Sequence, residues 1–300
     1  MNRRSFLEHI IWSSAGFSFL GLSSSCMESG IRFGLLTDLH YANRSSAGNR
    51  YYKDTFNKLK EALAEFERHK LDFIIELGDM KDQGNTPNRE ETLGFLQEIE
   101  TVFQSFPGDI YHVLGNHDMD SISKQDFLSY TKNSGFAKGK NYYSFVKKGV
   151  KFIVLDANYR KDGTDYNTGN FNWEQALIPK HEVIWLEQEL QEGNEPVVVF
   201  IHQLLDTKSG LYPGLYVLNA VEIQAMLVKS KRVLAVFQGH HHAGSYTQCE
   251  GIHYFTMPGM IEGNYPDHNA YAIVEITPQK DILIDGFGKC QDKIMRIKNK

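Results

Sequence analysis

The stretch that most limits what this chain can fold into is Phe73-Ile74-Ile75-Glu76-Leu77-Gly78-Asp79. It is too short for a typical helix, rich in β-branched and apolar residues, and stopped by a glycine and a carboxylate. Such a run reads as a buried strand ending where polar chemistry begins. Two others repeat the design: Ile31-Arg32-Phe33-Gly34-Leu35-Leu36-Thr37-Asp38-Leu39-His40 and Ile110-Tyr111-His112-Val113-Leu114-Gly115-Asn116-His117-Asp118. In open α/β sheets, ligands gather at the carboxyl ends of strands, so three strand ends carrying metal-competent side chains point to one site.

The intervening segments are helical. Phe56, Leu59, Leu63 and Phe66 recur at three- and four-residue steps between Tyr52 and His69, and Leu93, Leu96 and Ile99 do so after the start signal Thr86-Pro87-Asn88. The rhythm then changes. Tyr142 to Val146 and Val150 to Asp156 flank Lys147-Lys148-Gly149 as a hairpin. A helix around Val183, Leu186 and Leu190 precedes the buried strand Val197 to Ile201, which ends at His202. A helix from Asn219 to Ser230 leads into the strand Arg232 to Phe237 and then Gly239-His240-His241-His242. The remaining strand patterns, Gly244 to Gln248, Ile252 to Thr256, Tyr271 to Ile276 and Ile282 to Phe287, read as antiparallel.

With 300 residues and 41% hydrophobic content, the chain can bury a large core. The expected architecture is an α/β four-layer sandwich, αββα, of two mixed β-sheets flanked by helices, with the site at strand C-terminal ends. One domain is expected over 31–290, with a basic tail over 291–300. The segment from Tyr159 to Trp173 lacks apolar periodicity, which leaves both a lid and a plain surface excursion open.

The first residues stand apart. Arg3-Arg4-Ser5-Phe6-Leu7, an apolar stretch to Leu22, and Ser23-Ser24-Ser25-Cys26 have the layout of an export signal over 1–26, with Cys26 a candidate for lipidation. The expected location is therefore outside the cytoplasm, periplasmic or anchored as a lipoprotein, with membrane contact only through that signal or lipid. Cys249 and Cys290 remain, and spacing alone leaves them paired or free. The formal charge of -5 gives no support to a nucleic-acid partner.

Asp38, His40, Asp79, Asn116, His202, His240 and His242 each follow a strand-like run. Singly, each has a plainer explanation: a histidine past a strand usually makes a surface hydrogen bond, and aspartate after glycine often caps a turn. Their common placement is what argues for a shared site. Carboxylate, imidazole and amide donors without thiolates suit ions of intermediate hardness such as Mn, Fe or Zn. Asp79 is placed to bridge, since one carboxylate can give an oxygen to each of two ions. Two ions about 3.5–4 Å apart can share a hydroxide and clamp a phosphoryl group.

Asp38-x-His40, Gly78-Asp79-x-x-Asp82, Gly115-Asn116-His117-Asp118, His202 and Gly239-His240-x-His242 resemble the five ordered motifs of the calcineurin-like metallophosphoesterases. The resemblance implies Asp38, His40, Asp79 and His242 at one metal, and Asp79, Asn116, His202 and His240 at the other. It further implies that His117 protonates the leaving oxygen or stabilises its charge, with Asp82 holding its imidazole, while Asp118 and His241 support the shell.

Phe33 to Asp38, His40-Tyr41-Ala42, Arg50-Tyr51-Tyr52, Tyr142 to Phe145, Gly259 to Gly263 and Gly286-Phe287-Gly288 resemble the manganese-dependent ADP-ribose/CDP-alcohol diphosphatase branch, some members of which carry glutamine where this chain has His40. That branch implies two divalent ions, Mn first, and a small phosphorylated, nucleotide-derived substrate cleaved at its pyrophosphate. Tyr41, Tyr51 and Tyr52 could then line the pocket and Arg50 touch phosphate, although aromatics near strands usually pack. A cyclic-nucleotide phosphodiesterase shares all five motifs and is the alternative. A scaffold that has lost turnover would be expected to lack donors that are all present here.

Overall fold

The computed structural model describes residues 30–297, so the expected export signal and Cys26 lie outside the described residues. The chain begins β1 (Ile31–Leu36), α1 (Thr55–Arg68), β2 (Phe73–Glu76), α2 (Arg89–Phe103), β3 (Asp109–His112) and α3 (Lys124–Tyr130). It continues with β4 (Tyr143–Lys147), β5 (Val150–Val154), α4 (Lys180–Gln191), β6 (Val197–Phe200), α5 (Ala220–Ser230), β7 (Val233–Gln238), β8 (Ser245–Cys249) and β9 (Ile252–Thr256). It then returns through β10 (Ala270–Ile276), β11 (Ile282–Gly288) and β12 (Lys293–Met295).

Two six-stranded mixed sheets result, in the orders β12-β11-β10-β1-β2-β3 and β4-β5-β6-β7-β9-β8. In the first, β1, β2 and β3 run parallel and β10 lies antiparallel to β1. In the second, β5, β6 and β7 run parallel, with β4 antiparallel to β5.

Strand alternation builds the layers. Phe33, Phe73, Phe152, Phe200 and Phe237 point between the sheets, while Ile74 turns outward under α1 and α2 and Val199 outward under α4 and α5. Phe33 lies at the centre, stacked on Phe73 at 4.9 Å and edge-on to Phe200 at 5.7 Å and Phe237 at 5.9 Å. Each such contact contributes about 0.5–1.5 kcal/mol beyond burial, so the sheets are locked just below the strand ends. The four-layer αββα arrangement is as expected.

Three details depart from the sequence reading, and one that it left open is settled. Strand β9 is antiparallel to β8 but parallel to β7, because both hydrogen-bond it from opposite sides. Helix α3 was not anticipated; its short apolar pattern is weak, but a capping box joins Ser123 and Asp126 and starts it. The stretch from 291 is not simply a tail, since Lys293–Met295 pairs with β11. Cys249 and Cys290 are both free. Among the described residues no helix is long and apolar enough to cross a membrane.

Candidate metal centre

The loops following β1, β2, β3, β6 and β7 converge, so both sheets contribute to one pocket. Asp38, His40 and His242 form one group of donor atoms, and Asp79, His202 and His240 form another. Asp79 also groups with His40 and His117. Within the first group, His242 Nε2 lies 3.3 Å from Asp38 Oδ1 and from His40 Nε2. Asp79 Oδ2 joins the groups, 3.5 Å from His40 Nε2 and 3.2 Å from His202 Nε2.

Each carboxylate is held by one oxygen. Asp38 Oδ2 accepts from Thr37 Oγ1 at 2.9 Å and from the His240 backbone N–H at 3.1 Å. Asp79 Oδ1 accepts the His117 backbone N–H at 2.7 Å. Oδ2 is thus the Asp79 oxygen that faces both groups, while Oδ1 is turned to the His117 amide.

The imidazoles are aimed in the same way. His202 Nδ1 lies 2.8 Å from the Leu77 carbonyl, and His242 Nδ1 lies 2.8 Å from Glu262 Oε1. His40 Nδ1 faces Asp82 Oδ2 at 3.6 Å, and His117 Nδ1 faces Asp82 Oδ1 at 3.5 Å. His202 and His242, each with its second nitrogen fixed by a hydrogen bond, present the first in one direction.

Backbone conformation matters as much as side-chain type. Asp38, His40, Asp79 and His240 have φ of 52°, 48°, 59° and 68°, a region that non-glycine residues seldom adopt. Each such residue costs on the order of 1–3 kcal/mol, and four at one site indicate strain retained for function. Gly78 and Gly115 let the loops meet, because a Cβ on Gly78 would strike His202 and Gly115, and one on Gly115 would strike Asp79.

Asp118 ties the same two loops together. Its buried carboxylate accepts N–H groups from Asp79 at 3.1 Å, Met80 at 3.0 Å and Gly115 at 2.8 Å. Behind it, the Lys81 ammonium donates to the His117 carbonyl at 2.7 Å and to Asp120 at 2.5 Å. Asp118 thus supports the shell as the sequence implied. Nothing in the spacing marked Lys81 or Asp120. His241 stays half-buried, outside the donor groups.

The electrostatics follow from burial. Asp79 loses hydration, which opposes its charge, yet His202, His117 and His40 hold its carboxyl far below the usual carboxylate range. Burial likewise opposes charge on His202, but Asp79 and Asp38 push it up to about 10. Asp38 and Glu262 raise His242 to about 9 against burial, whereas burial and the neighbouring His202 bring His240 down to about 3. Protons thus occupy positions that cations could take over, and metal binding would release them.

The donors fit a pair of divalent ions. Asp38 Oδ1, Asn116 Oδ1, His202 Nε2 and His240 Nε2 are buried without a hydrogen-bond partner. Buried polar atoms are normally satisfied, and these four gathered in one pocket make a donor set of oxygen and nitrogen character once a metal displaces the proton from His202.

The residues expected to touch substrate are placed differently. Tyr41 is only 7% exposed and packs against Phe56 and Phe95, and Tyr52 is 4% exposed beneath Arg44. Both belong to the core because the loop after β1 folds down onto α1 and α2, so neither offers a ligand its ring. Arg50 and Tyr51 are half-buried, and Arg50 lies close enough to His242 to oppose its charge. Glu262 was visible only within a resemblance motif; its place behind His242 has no spacing signal.

With this geometry in place, comparison with known proteins is informative. The sequence model of the calcineurin-like phosphoesterases matches residues 31–244. A rice protein named manganese-dependent ADP-ribose/CDP-alcohol diphosphatase is 26% identical, over 91% of this chain and 96% of the rice protein. The mouse protein of that name is 23% identical over 89% and 93%. A Fibrobacter succinogenes protein named "Probable cyclic nucleotide phosphodiesterase" is 22% identical over 90% and 96%. The crystal structure of a dimetal phosphatase from Danio rerio superposes with a TM-score of 0.78 at 21% identity, covering 90% of this chain and all of that one. The chain belongs to the calcineurin-like phosphoesterase family, metal-dependent hydrolases of phosphate ester or anhydride bonds.

Proposed function

We propose that this enzyme cleaves the pyrophosphate of small nucleoside diphosphate-linked compounds, such as ADP-ribose or a CDP-alcohol, with manganese as its metal. The observation that carries the two-metal reading is the single Asp79 oxygen facing both His40 and His202, and manganese follows the relatives' names. Support for the substrate class comes from the relatives' names and from their near-complete coverage of the chain.

In this reading Asp38, His40, Asp79 and His242 hold one ion, and Asp79, Asn116, His202 and His240 the other. When bound, two such ions lower the pKa of water toward neutrality and take up charge from the phosphate oxygens. The chain's own residues do the rest. Thr37 and the His240 amide fix Asp38, the His117 amide fixes Asp79, and Glu262 fixes His242, so the donors need no reorganisation when substrate arrives. Asp82 faces Nδ1 of His117, which orients the imidazole and leaves Nε2 to give a proton to the departing oxygen. The His117 side chain is 26% exposed, open enough to meet a substrate yet backed by Phe171.

The test is a substrate panel with manganese: ADP-ribose, CDP-choline, UDP-sugars and cyclic AMP. Release of a nucleoside monophosphate from the diphosphate compounds is expected. Activity confined to cyclic AMP would favour the phosphodiesterase reading, which one relative's name supports.

A further inference from the structure

Two loops distant in sequence raise aromatic rings beside the donor cluster. Phe171 and Trp173 close the 159–173 segment, and Tyr212 lies between β6 and α5. The Phe171 ring is centred 5.4 Å from that of His117, and the Trp173 ring 6.3 Å from that of His240. Trp173 and Tyr212 lie 6.0 Å apart, centre to centre, and the Tyr212 hydroxyl donates to Glu174 Oε1 at 2.6 Å, tying one loop to the other. Trp173 is 42% and Tyr212 56% exposed, and neither belongs to a core cluster.

The loop that carries Trp173 is anchored rather than free. Lys124 Nζ, nearly buried, reaches Asp156 at 2.8 Å, Asp165 at 2.6 Å and the Asn158 carbonyl at 3.2 Å, and lies 3.7 Å from the centre of the Tyr159 ring. Tyr166 is fully buried, and its hydroxyl donates to the Asn172 carbonyl at 2.7 Å. A buried cation and a buried tyrosine thus anchor the loop of Trp173, and Glu174 ties Tyr212 to it, so that two large aromatic faces stand toward solvent at the edge of a phosphate-processing site. Rings so exposed leave apolar surface in water unless a ligand covers them.

We propose that Trp173 and Tyr212 form the nucleobase subsite, stacking on the base of the nucleoside end while the phosphates lie over the donor cluster, with Phe171 flanking His117. This rests on the nucleotide-linked substrate reading. Stacking suits the position because every base offers a π-face and aromatic side chains recognise it without demanding one sequence of hydrogen bonds. It also replaces Tyr41 and Tyr52, whose rings are committed to the core.

Calorimetric titration of the manganese-loaded protein with AMP and with ribose 5-phosphate isolates the base. The native protein is expected to bind AMP about tenfold more tightly, in line with the strength of base–aromatic stacking. Trp173→Ala and Tyr212→Ala should remove most of that advantage and leave the ribose 5-phosphate affinity unchanged, while Trp173→Phe restores it in large part. An AMP preference that survives Trp173→Ala, equal weakening of both ligands, or no AMP preference in the native protein would each overturn the subsite. A native enzyme that cleaves ADP-ribose but shows one of these results rejects the subsite alone, whereas failure to cleave any nucleoside diphosphate compound rejects the function itself.

Discussion

Asp79 Oδ2 lies 3.2 Å from His202 Nε2, and that contact joins the end of a strand in one sheet to the end of a strand in the other. The site is therefore a property of the sheet–sheet interface and not of either sheet. The phenylalanine layer around Phe33 sets the spacing of the two sheets, and because each donor group draws from both sheets, that spacing sets how closely the donors within each group approach one another.

Removing the His117 imidazole separates chemistry from metal binding. His117→Ala should retain its full complement of manganese and lose about 10²- to 10⁴-fold in turnover, the usual range for a positioned acid. The loss should be largest for poor leaving groups and smaller for p-nitrophenyl esters, whose leaving oxygen needs no proton. Equal rates for variant and native enzyme on both substrates would remove this residue from the mechanism. Asp82→Asn should instead disturb both functions, because Asp82 faces His40 as well as His117.

Lys58 offers a test of the loop behind His242. Its buried ammonium donates to the carbonyls of Met260 at 2.8 Å and Gly263 at 2.5 Å, fixing the loop that presents Glu262 to His242. Lys58→Met leaves those carbonyls without a donor and should destabilise the fold by about 2–4 kcal/mol. Weaker manganese binding should accompany it, measured by calorimetry below the unfolding temperature. Native-like affinity in a destabilised variant would show that Glu262 does not depend on this anchor.

A buried cluster away from the donors contributes to stability against pH, alongside His202 and His242 in the metal-free protein. His112 lies 3.1 Å from Glu100 Oε2 and 3.7 Å from Glu76 Oε2. Burial opposes its charge, but the two carboxylates win and push it up to about 10 from 6.5; burial pushes Glu76 up to about 8 from 4.5. Both groups hold more protons folded than unfolded, so stability must fall as pH rises. The His112 contribution is complete below about pH 6.5 and is lost toward pH 10. Urea unfolding of the metal-free protein at pH 7, 8 and 9 should show this decline, with a flatter curve for His112→Gln. A native curve that stays level would contradict it.

Much of this was legible in the sequence because each element announces itself locally. The short, nearly continuous apolar runs of β1, β2 and β6 mark strands buried on both faces, and the strand-ending position of Asp38, Asp79, His202 and His240 marks the carboxyl edge. What escaped lacks local signature. Helix α3 has one turn of apolar residues, Glu262 meets His242 only through a loop, and Lys81 reaches His117 from a different strand end. The tyrosines after β1 misled because the sequence shows proximity to Asp38 but not that the chain then turns inward. The left-handed conformations of Asp38, His40, Asp79 and His240 were equally invisible, since none carries the glycine that normally marks such positions.

The most direct measurement is electron paramagnetic resonance of the protein loaded with two equivalents of manganese, beside Asp79→Asn. If one carboxylate oxygen lies between two ions, the native protein takes up two manganese ions and gives a spin-coupled signal. Asp79→Asn should lose that coupling together with at least one ion. Uptake of no manganese, an uncoupled six-line spectrum from the native protein, or coupling that persists without the Asp79 carboxylate would contradict the account.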